Sequence, residues 1–162
     1  MLKRRNPIVF LKDLLYSIYF NFHYLPFRQA VRLPILFHNP TFVNLKGKVR
    51  IEGKVARGMI KLGYYFHGGY PDGGFMFENN GGHVVFKGSV CIGGNSSFSV
   101  GKYGLLEIEG PTGSIEGLKI ACYHHIKLEN HCRIGWDVMM MDTSFLKLNF
   151  LLENLDFING NK

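Results

Sequence analysis

The residues of this chain best suited to chemistry run from the adjacent His124 and His125 to an Asp-Thr-Ser-Phe segment at 142–145. An imidazole titrates near neutral pH and can take a proton from a hydroxyl group, and a carboxylate can hold the imidazole in place. If the fold stacks successive repeats, Asp142 lies within about one repeat of His125. The alternative is that both histidines line a cleft or face solvent.

A repeat of six residues predicts the fold that positions these groups. Small or aliphatic residues keep this spacing in one unbroken series, Ile108, Ser114, Ile120, Ile126, Cys132 and Val138, and shorter series begin at Val84, Phe86 and Leu128. An α-helix has a period of 3.6, so it does not produce this pattern. We expect each hexapeptide to form one strand and a turn, with three such faces closing a coil. Stacked coils then bury the aliphatic positions in one core.

The N-terminal segment differs from the rest of the chain in charge. Residues 1–50 hold nine Lys and Arg against one acid, Asp13. An amphipathic helix is predicted by the three- and four-residue spacing of Ile8, Leu11, Leu15, Ile18 and Phe22. This helix would either pack on a neighbouring domain or subunit, or place residues 1–32 on an anionic membrane surface.

These patterns divide the chain into three parts. We expect a basic, aromatic helical segment at 1–40, the β-helix at 41–145 and a loop-like tail at 146–162. The fold class is therefore all-β with a short N-terminal amphipathic helix.

Composition argues against several classes of protein. The net positive charge belongs to residues 1–50, which sum to +8, whereas residues 51–162 sum to −1, so nucleic-acid binding by the body of the chain is not indicated. Three cysteines without a Cys-x-x-Cys pair predict neither a disulfide framework nor a metal site. The Gly-rich stretch at 67–82 lacks the Gly-Lys-Ser/Thr ending of a phosphate loop, and we expect a loop excursion there, flanked by His67 and His83. No apolar run is long enough to span a membrane, and we expect a cytoplasmic protein.

Several segments resemble the hexapeptide-repeat acyltransferases. They are "IGGNSS" (92–97), "IKLENHCRIGWDV" (126–138) and "MDTSF" (141–145). With "YFNFHYLPFRQAVRLPI" (19–35), the chain is similar to bacterial O-acetyltransferases of surface and capsular polysaccharide biosynthesis. The resemblance implies a left-handed parallel β-helix that assembles as a homotrimer. It also implies acetyl-CoA as co-substrate, bound in clefts between neighbouring helices, and a saccharide acceptor.

The resemblance also implies roles for individual residues. The family places a histidine directly after the Asp-Thr-Ser-Phe step, and this chain has Leu146 there. Asp142 then remains as a catalytic residue, and His125 or His124 would have to replace the missing base. The predicted substrate-binding residues are Tyr123, Ser144 and Trp136, where the tryptophan stacks on a sugar or on pantetheine or else forms a trimer contact.

Two functions follow as expectations. The first is an acyl-CoA-dependent O-acyltransferase that acetylates a sugar hydroxyl, as an active or an impaired copy. The second is a non-catalytic β-helix that scaffolds or oligomerises with an intact paralogue. Residues 146–162 stand where the family continues into further coils, so the resemblance also predicts a C-terminally truncated chain.

Overall fold

The computed structural model describes residues 7–64 and 73–143. This part begins with two helices, α1 (Pro7–Tyr24) and α2 (Phe27–Ala30). Fourteen strands follow in the described residues: β1 Ile35–Phe37, β2 Pro40–Leu45, β3 Lys48–Ile51, β4 Ile60–Tyr64, β5 Phe75–Asn79, β6 His83–Lys87, β7 Val90–Gly93, β8 Ser96–Val100, β9 Leu105–Glu109, β10 Thr112–Ser114, β11 Lys119–Cys122, β12 His125–Leu128, β13 Arg133–Ile134 and β14 Met139–Met141. The prediction of a mostly β fold with an N-terminal helix is confirmed.

Each strand pairs in parallel with the strand three positions further along the chain. The first sheet contains β1, β4, β7, β10 and β13, the second β2, β5, β8, β11 and β14, and the third β3, β6, β9 and β12. Three strands therefore complete one coil and the coils stack, which is consistent with a parallel β-helix. Strand β1 already belongs to the first sheet, so β structure begins before the boundary predicted at residue 41.

The coils are longer than three hexapeptides. Ile120 lies opposite Met140, 20 residues later, and Phe98 lies opposite Ile120, 22 residues later. The predicted series is therefore regular within a coil but does not continue in step into the next coil. The additional residues lie at the corners between sheets, where Asn95 and His131 adopt a positive φ.

The interior is filled by the alternate, inward-facing positions of the strands. Its largest fully buried side chains are aromatic, and Phe75 contacts Phe98 of the next coil edge to face, with a ring-centre distance of 4.9 Å. At the N-terminal end, Phe20 of α1 is fully buried and lies 4.7 Å from Phe37 and 5.0 Å from Phe77. The helix therefore closes this end of the core with one aromatic side chain.

The predicted apolar spacing of α1 is present, but it faces outward. Ile8, Leu11, Leu15 and Phe22 are exposed, and Ile18 is only partly buried. The inner face of α1 carries polar residues instead: Asp13, Ser17 and Asn21. The helix therefore packs on the adjoining first sheet through this polar face and not through the predicted apolar stripe.

The polar face of α1 is turned inward because the edge of strand β1 has backbone groups that need hydrogen-bond partners. The Asn21 side chain donates to the carbonyl oxygen of Ile35 at 2.6 Å and accepts from its N–H at 3.2 Å. Ser17 Oγ accepts the N–H of Phe37 at 2.9 Å, and Asp13 Oδ1 accepts the N–H of Asn39 at 2.8 Å.

The spacing of these residues explains the match. Four helical residues rise about 6 Å and two strand residues about 6.6 Å, so every fourth position of α1 meets every second position of the strand. The polar face of α1 thus pairs with the edge strand as a neighbouring strand would. Neither described helix is long and apolar enough to cross a membrane.

Candidate functional site

The corner between the second and third sheets brings several predicted site residues together. Tyr123 and His124 link β11 to β12, His125 begins β12, and Asp142 follows β14 in the next coil. Stacking of the coils therefore places Asp142 beside the corner of the preceding coil, as predicted. Ser144 and Leu146 lie outside the described residues.

Asp142 binds the backbone of this corner. Its Oδ1 accepts the N–H of Tyr123 at 2.7 Å and its Oδ2 accepts the N–H of His124 at 2.8 Å. Burial raises the pKa of this carboxyl group, but the backbone N–H donors outweigh that effect and the pKa is lowered. Asp142 is therefore an ionised group that holds two coils together at the corner.

Cys122 lies directly before this corner and its side chain is buried. Its Sγ is 3.7 Å from Asp142 Oδ2, and burial raises the pKa of the thiol to about 11. A thiol in this state is a poor nucleophile at neutral pH, because the thiolate is the reactive form. Cys122 thus fits the predicted role of a small core residue.

His125 is paired with a carboxylate that the sequence analysis did not identify. Its Nε2 lies 2.8 Å from Oε2 of Glu107 on the neighbouring strand β9, and the His125 side chain is 53% exposed. The Lys87 ammonium, 2.6 Å from Glu107 Oε1, and His125 both lower the pKa of Glu107. The structure therefore contains an accessible imidazole held by an ionised carboxylate.

Glu107 could have been found from the coil length. Leu105 lies opposite His125 in the parallel register, so Glu107 is a diagonal neighbour of that histidine on the same outer face. Such diagonal neighbours are within reach of long side chains. A strict six-residue repeat would also have brought the two residues together, since Glu107 lies 18 residues, or three hexapeptides, before His125.

The same outer face of the third sheet carries a network of opposite charges. Lys87 also approaches Glu52 at 3.9 Å, and Lys127 lies 3.2 Å from Glu109 and 3.6 Å from Glu129. Exposed pairs of this kind contribute little to stability individually, because solvent screens the charges. Within this network, Glu107 is bonded to Lys87 and His125.

Trp136 lies at a different corner, between the first and second sheets. Its Nε1 donates to Oε2 of the buried Glu116 at 3.2 Å, while the residue remains 52% exposed. The whole of strand β14 separates Trp136 from Asp142. The predicted substrate-binding set is therefore divided between two corners of the coil.

Tyr123 remains beside the first group of residues. It is partly buried, and its ring lies over Gly101 of the preceding coil, where a Cβ atom would clash with it. Gly101 therefore leaves the space in which the tyrosine packs against the corner. In this position Tyr123 is a neighbour of both His124 and Asp142.

Two cavities open on the outer surface of the described residues, away from this corner. One, of about 390 Å³, is lined mainly by polar side chains of the second sheet and its edge, including Asn39, Asn95, Ser97 and Lys119. The other, of about 480 Å³, is basic and is lined by His23, Tyr24, Leu45, Lys46, Gly47, Lys48, Val49, Arg50 and His83.

Of the two histidines that flank the Gly-rich stretch, His83 lines this basic cavity and His67 lies outside the described residues. Among the described residues, no three His, Cys, Asp or Glu side chains are grouped so that they could hold a metal ion. No protein-family model, curated protein or solved structure matches this chain.

Proposed function

We propose that the chain is an acyl-CoA-dependent O-acyltransferase that transfers an acetyl group from acetyl-CoA to a sugar hydroxyl in polysaccharide biosynthesis. The three stacked parallel sheets support this proposal, because the resembled acyltransferases use such a fold. In this proposal the β-helix is left-handed, three copies assemble, and acetyl-CoA binds between neighbouring copies.

The observation that carries the proposal is the pair formed by His125 and Glu107. The Nε2–H of the imidazole donates to the ionised carboxylate, which leaves Nδ1 as the proton acceptor. An accessible imidazole oriented in this way has the arrangement required of a general base. Such a base accelerates proton transfer by about 10²–10⁴-fold.

The proposed reaction begins when Nδ1 of His125 takes the proton of the acceptor hydroxyl. The sugar oxygen then bonds to the thioester carbonyl carbon, the carbon–sulfur bond breaks, and CoA leaves as the thiol after it receives the proton. Glu107 stabilises the imidazolium during this step. Asp142 acts as a positioning residue, since it holds the backbone on which His124 and His125 are carried.

The test measures release of CoA thiol from acetyl-CoA in the presence of saccharide acceptors. We expect His125→Asn to lower kcat by about 10²-fold or more, and Glu107→Gln to lower it less, because the imidazole itself remains. His124→Asn is the matched control, because it changes the neighbouring imidazole of the same corner. Full activity in His125→Asn would overturn this assignment.

A non-catalytic scaffold is the second candidate, and two observations favour it. Both carboxylate oxygens of Asp142 are already bound to backbone N–H groups, and Glu107 is shared between His125 and Lys87. Titration calorimetry separates the two functions. An acyltransferase gives a binding heat with acetyl-CoA, whereas no heat at millimolar ligand would exclude the enzyme and favour the scaffold.

A further inference from the structure

The outer face of α1 forms an exposed apolar surface, which we call the outer stripe. It consists of five side chains that are 47% to 75% exposed: Ile8, Leu11, Leu15, Tyr19 and Phe22. Phe27 and Val31, on and directly after α2, are also exposed. Exposed apolar residues grouped in this way are typical of a surface that binds another protein, a ligand or a membrane.

Helix α1 has polar residues that could face solvent, but it directs its apolar side chains outward instead. Asp13, Ser17 and Asn21 are polar, yet they lie on the inner face because they bind the edge of the first sheet. The outer stripe is therefore directed away from the coils by specific hydrogen bonds. Rotation of the helix to bury the stripe would break all of them.

The charges around the outer stripe are positive. Lys12, Arg28 and Arg32 are exposed on or next to the helices, and the Lys12 ammonium lies 5.7 Å from the centre of the Tyr16 ring. The only acid among residues 1–50, Asp13, is buried and bonded to His38. In the sequence, Lys3, Arg4 and Arg5 come directly before α1.

A second copy of the chain is a poor match for this surface. Two outer stripes brought together would also bring their cations together. The described residues offer no unpaired acidic patch either, because the carboxylates on the outer face of the third sheet are bonded to cations: Glu52, Glu107, Glu109 and Glu129. The outer stripe and the cations beside it therefore match a partner that has an apolar interior beneath an anionic surface.

We propose that α1 lies in the plane of an anionic lipid bilayer, with the outer stripe in the acyl-chain boundary and the cations at the phosphate groups. An amphipathic helix with aromatic and aliphatic residues on one face and basic residues beside them binds lipid in this way. Each cation near such a surface adds to the attraction, and salt weakens it. The β-helix would then be attached to the membrane by its N-terminal end.

The test is co-sedimentation of the full chain with phosphatidylcholine vesicles, with and without phosphatidylglycerol. We expect binding to the anionic vesicles that falls with added NaCl, and little binding to phosphatidylcholine alone. The double variant Leu11→Glu/Leu15→Glu should bind about tenfold more weakly or worse. Tyr103→Glu/Met139→Glu is the matched control, since it adds the same two charges at exposed residues outside α1 and should bind normally.

Two results would overturn the proposal. One is equal binding by the Leu11/Leu15 variant and the wild type. The other is absence of vesicle binding by the wild type combined with a smaller assembly of that variant in sedimentation velocity, which would assign the stripe to a second copy.

If the double variant does not fold, Leu15→Trp in a Trp136→Phe background supplies the second measurement. Its fluorescence should shift to the blue with anionic vesicles, and an unchanged spectrum would contradict the proposal.

Discussion

Oδ2 of Asp13 lies 2.6 Å from Nδ1 of His38, and both side chains are almost fully buried. The same carboxylate receives the N–H of Asn39 through Oδ1. A single helical residue therefore binds both a side chain and the backbone at the start of the first coil. This pair joins α1 to the stacked sheets in the N-terminal half of the helix, while Asn21 does so near the other end.

Removal of this carboxylate should destabilise the protein. Asp13→Ala leaves the buried imidazole and the Asn39 N–H without their carboxylate acceptor, and loss of the acceptor of a buried donor costs about 1–3 kcal/mol. We expect a fall of about that size in the free energy of unfolding, measured by urea denaturation followed by circular dichroism. Lys12→Ala, at the exposed neighbouring position, is the control and should change it by less than about 0.5 kcal/mol. Equal effects of the two substitutions would refute the role of the pair.

Phe20 and Phe22 should respond differently to the same substitution. Phe20 is fully buried among aromatic rings, so Phe20→Ala should lower the free energy of unfolding by about 3–5 kcal/mol. Phe22 belongs to the outer stripe and is 47% exposed, so Phe22→Ala should cost below about 1 kcal/mol. Thermal denaturation in the absence of lipid distinguishes these outcomes. A larger loss in Phe22→Ala would mean that the helix is rotated relative to this structure.

Gly93 is required for close stacking of two coils. A Cβ atom at this position would overlap the carbonyl oxygen of Ile115, whereas one at Gly135 would have open space around it. We expect Gly93→Ala to destabilise by about 1–3 kcal/mol or more, because the backbones must move apart. Gly135→Ala should be nearly neutral in the same chemical denaturation experiment. A neutral Gly93→Ala would contradict the stacking of β7 on the next coil.

The contribution of Glu107 to stability should depend on pH. Its pKa in the folded state is lowered by Lys87 and His125, so its interactions stabilise the protein above the pKa of the unfolded chain, about 4.3. This stabilisation is lost as the pH falls through the lowered folded-state pKa. Glu107→Gln should therefore be less stable than the wild type at pH 7, by about 1 kcal/mol, because the network is partly exposed to solvent.

Denaturation midpoints measured between pH 7 and pH 3 test this expectation. The two proteins should become similar in stability at the acidic end. A difference that grows as the pH falls would show that the Glu107 pKa is raised rather than lowered in the folded protein.

The sequence predicted the stacking of strands because burial leaves a periodic signal. Ile108, Ser114 and Ile120 keep the six-residue spacing within their coil, and Leu128, Ile134 and Met140 keep it in the next. The length of a coil was not predictable in the same way. Corner residues such as Asn95 and His131 are placed by backbone conformation, which leaves no hydrophobic period.

The orientation of α1 could not be read from hydrophobicity alone. The same apolar stripe is compatible with a buried face and with a surface directed to another phase. The decisive signal was the spacing of Asp13, Ser17 and Asn21 at every fourth position. Its meaning depends on a strand edge whose polar groups the helix must satisfy, and that edge is created only by the tertiary fold.

Only part of the candidate site could be predicted from the sequence. Stacking of coils correctly suggested that Asp142 lies beside the corner of Tyr123 and His124. The partner of His125 was missed, although Glu107 lies 18 residues, or three hexapeptides, before it and is its neighbour on the outer face of the third sheet. Trp136 lies one strand before Asp142, at the corner between the first and second sheets, and its role in substrate binding stays a prediction.

The pairing of α1 with β1 also affects whether further strands can add to the N-terminal edge of the first sheet. A stack of coils resembles a fibre that could lengthen by one layer at either end, with each exposed strand acting as a template. At the N-terminal edge of the first sheet, backbone hydrogen-bonding groups are bound by the side chains of Asp13, Ser17 and Asn21. Side chains on a helix do not offer a further strand the backbone groups with which it could pair. Helix α1 thus covers the edge of strand β1, and we expect it to prevent end-to-end polymerisation through this strand.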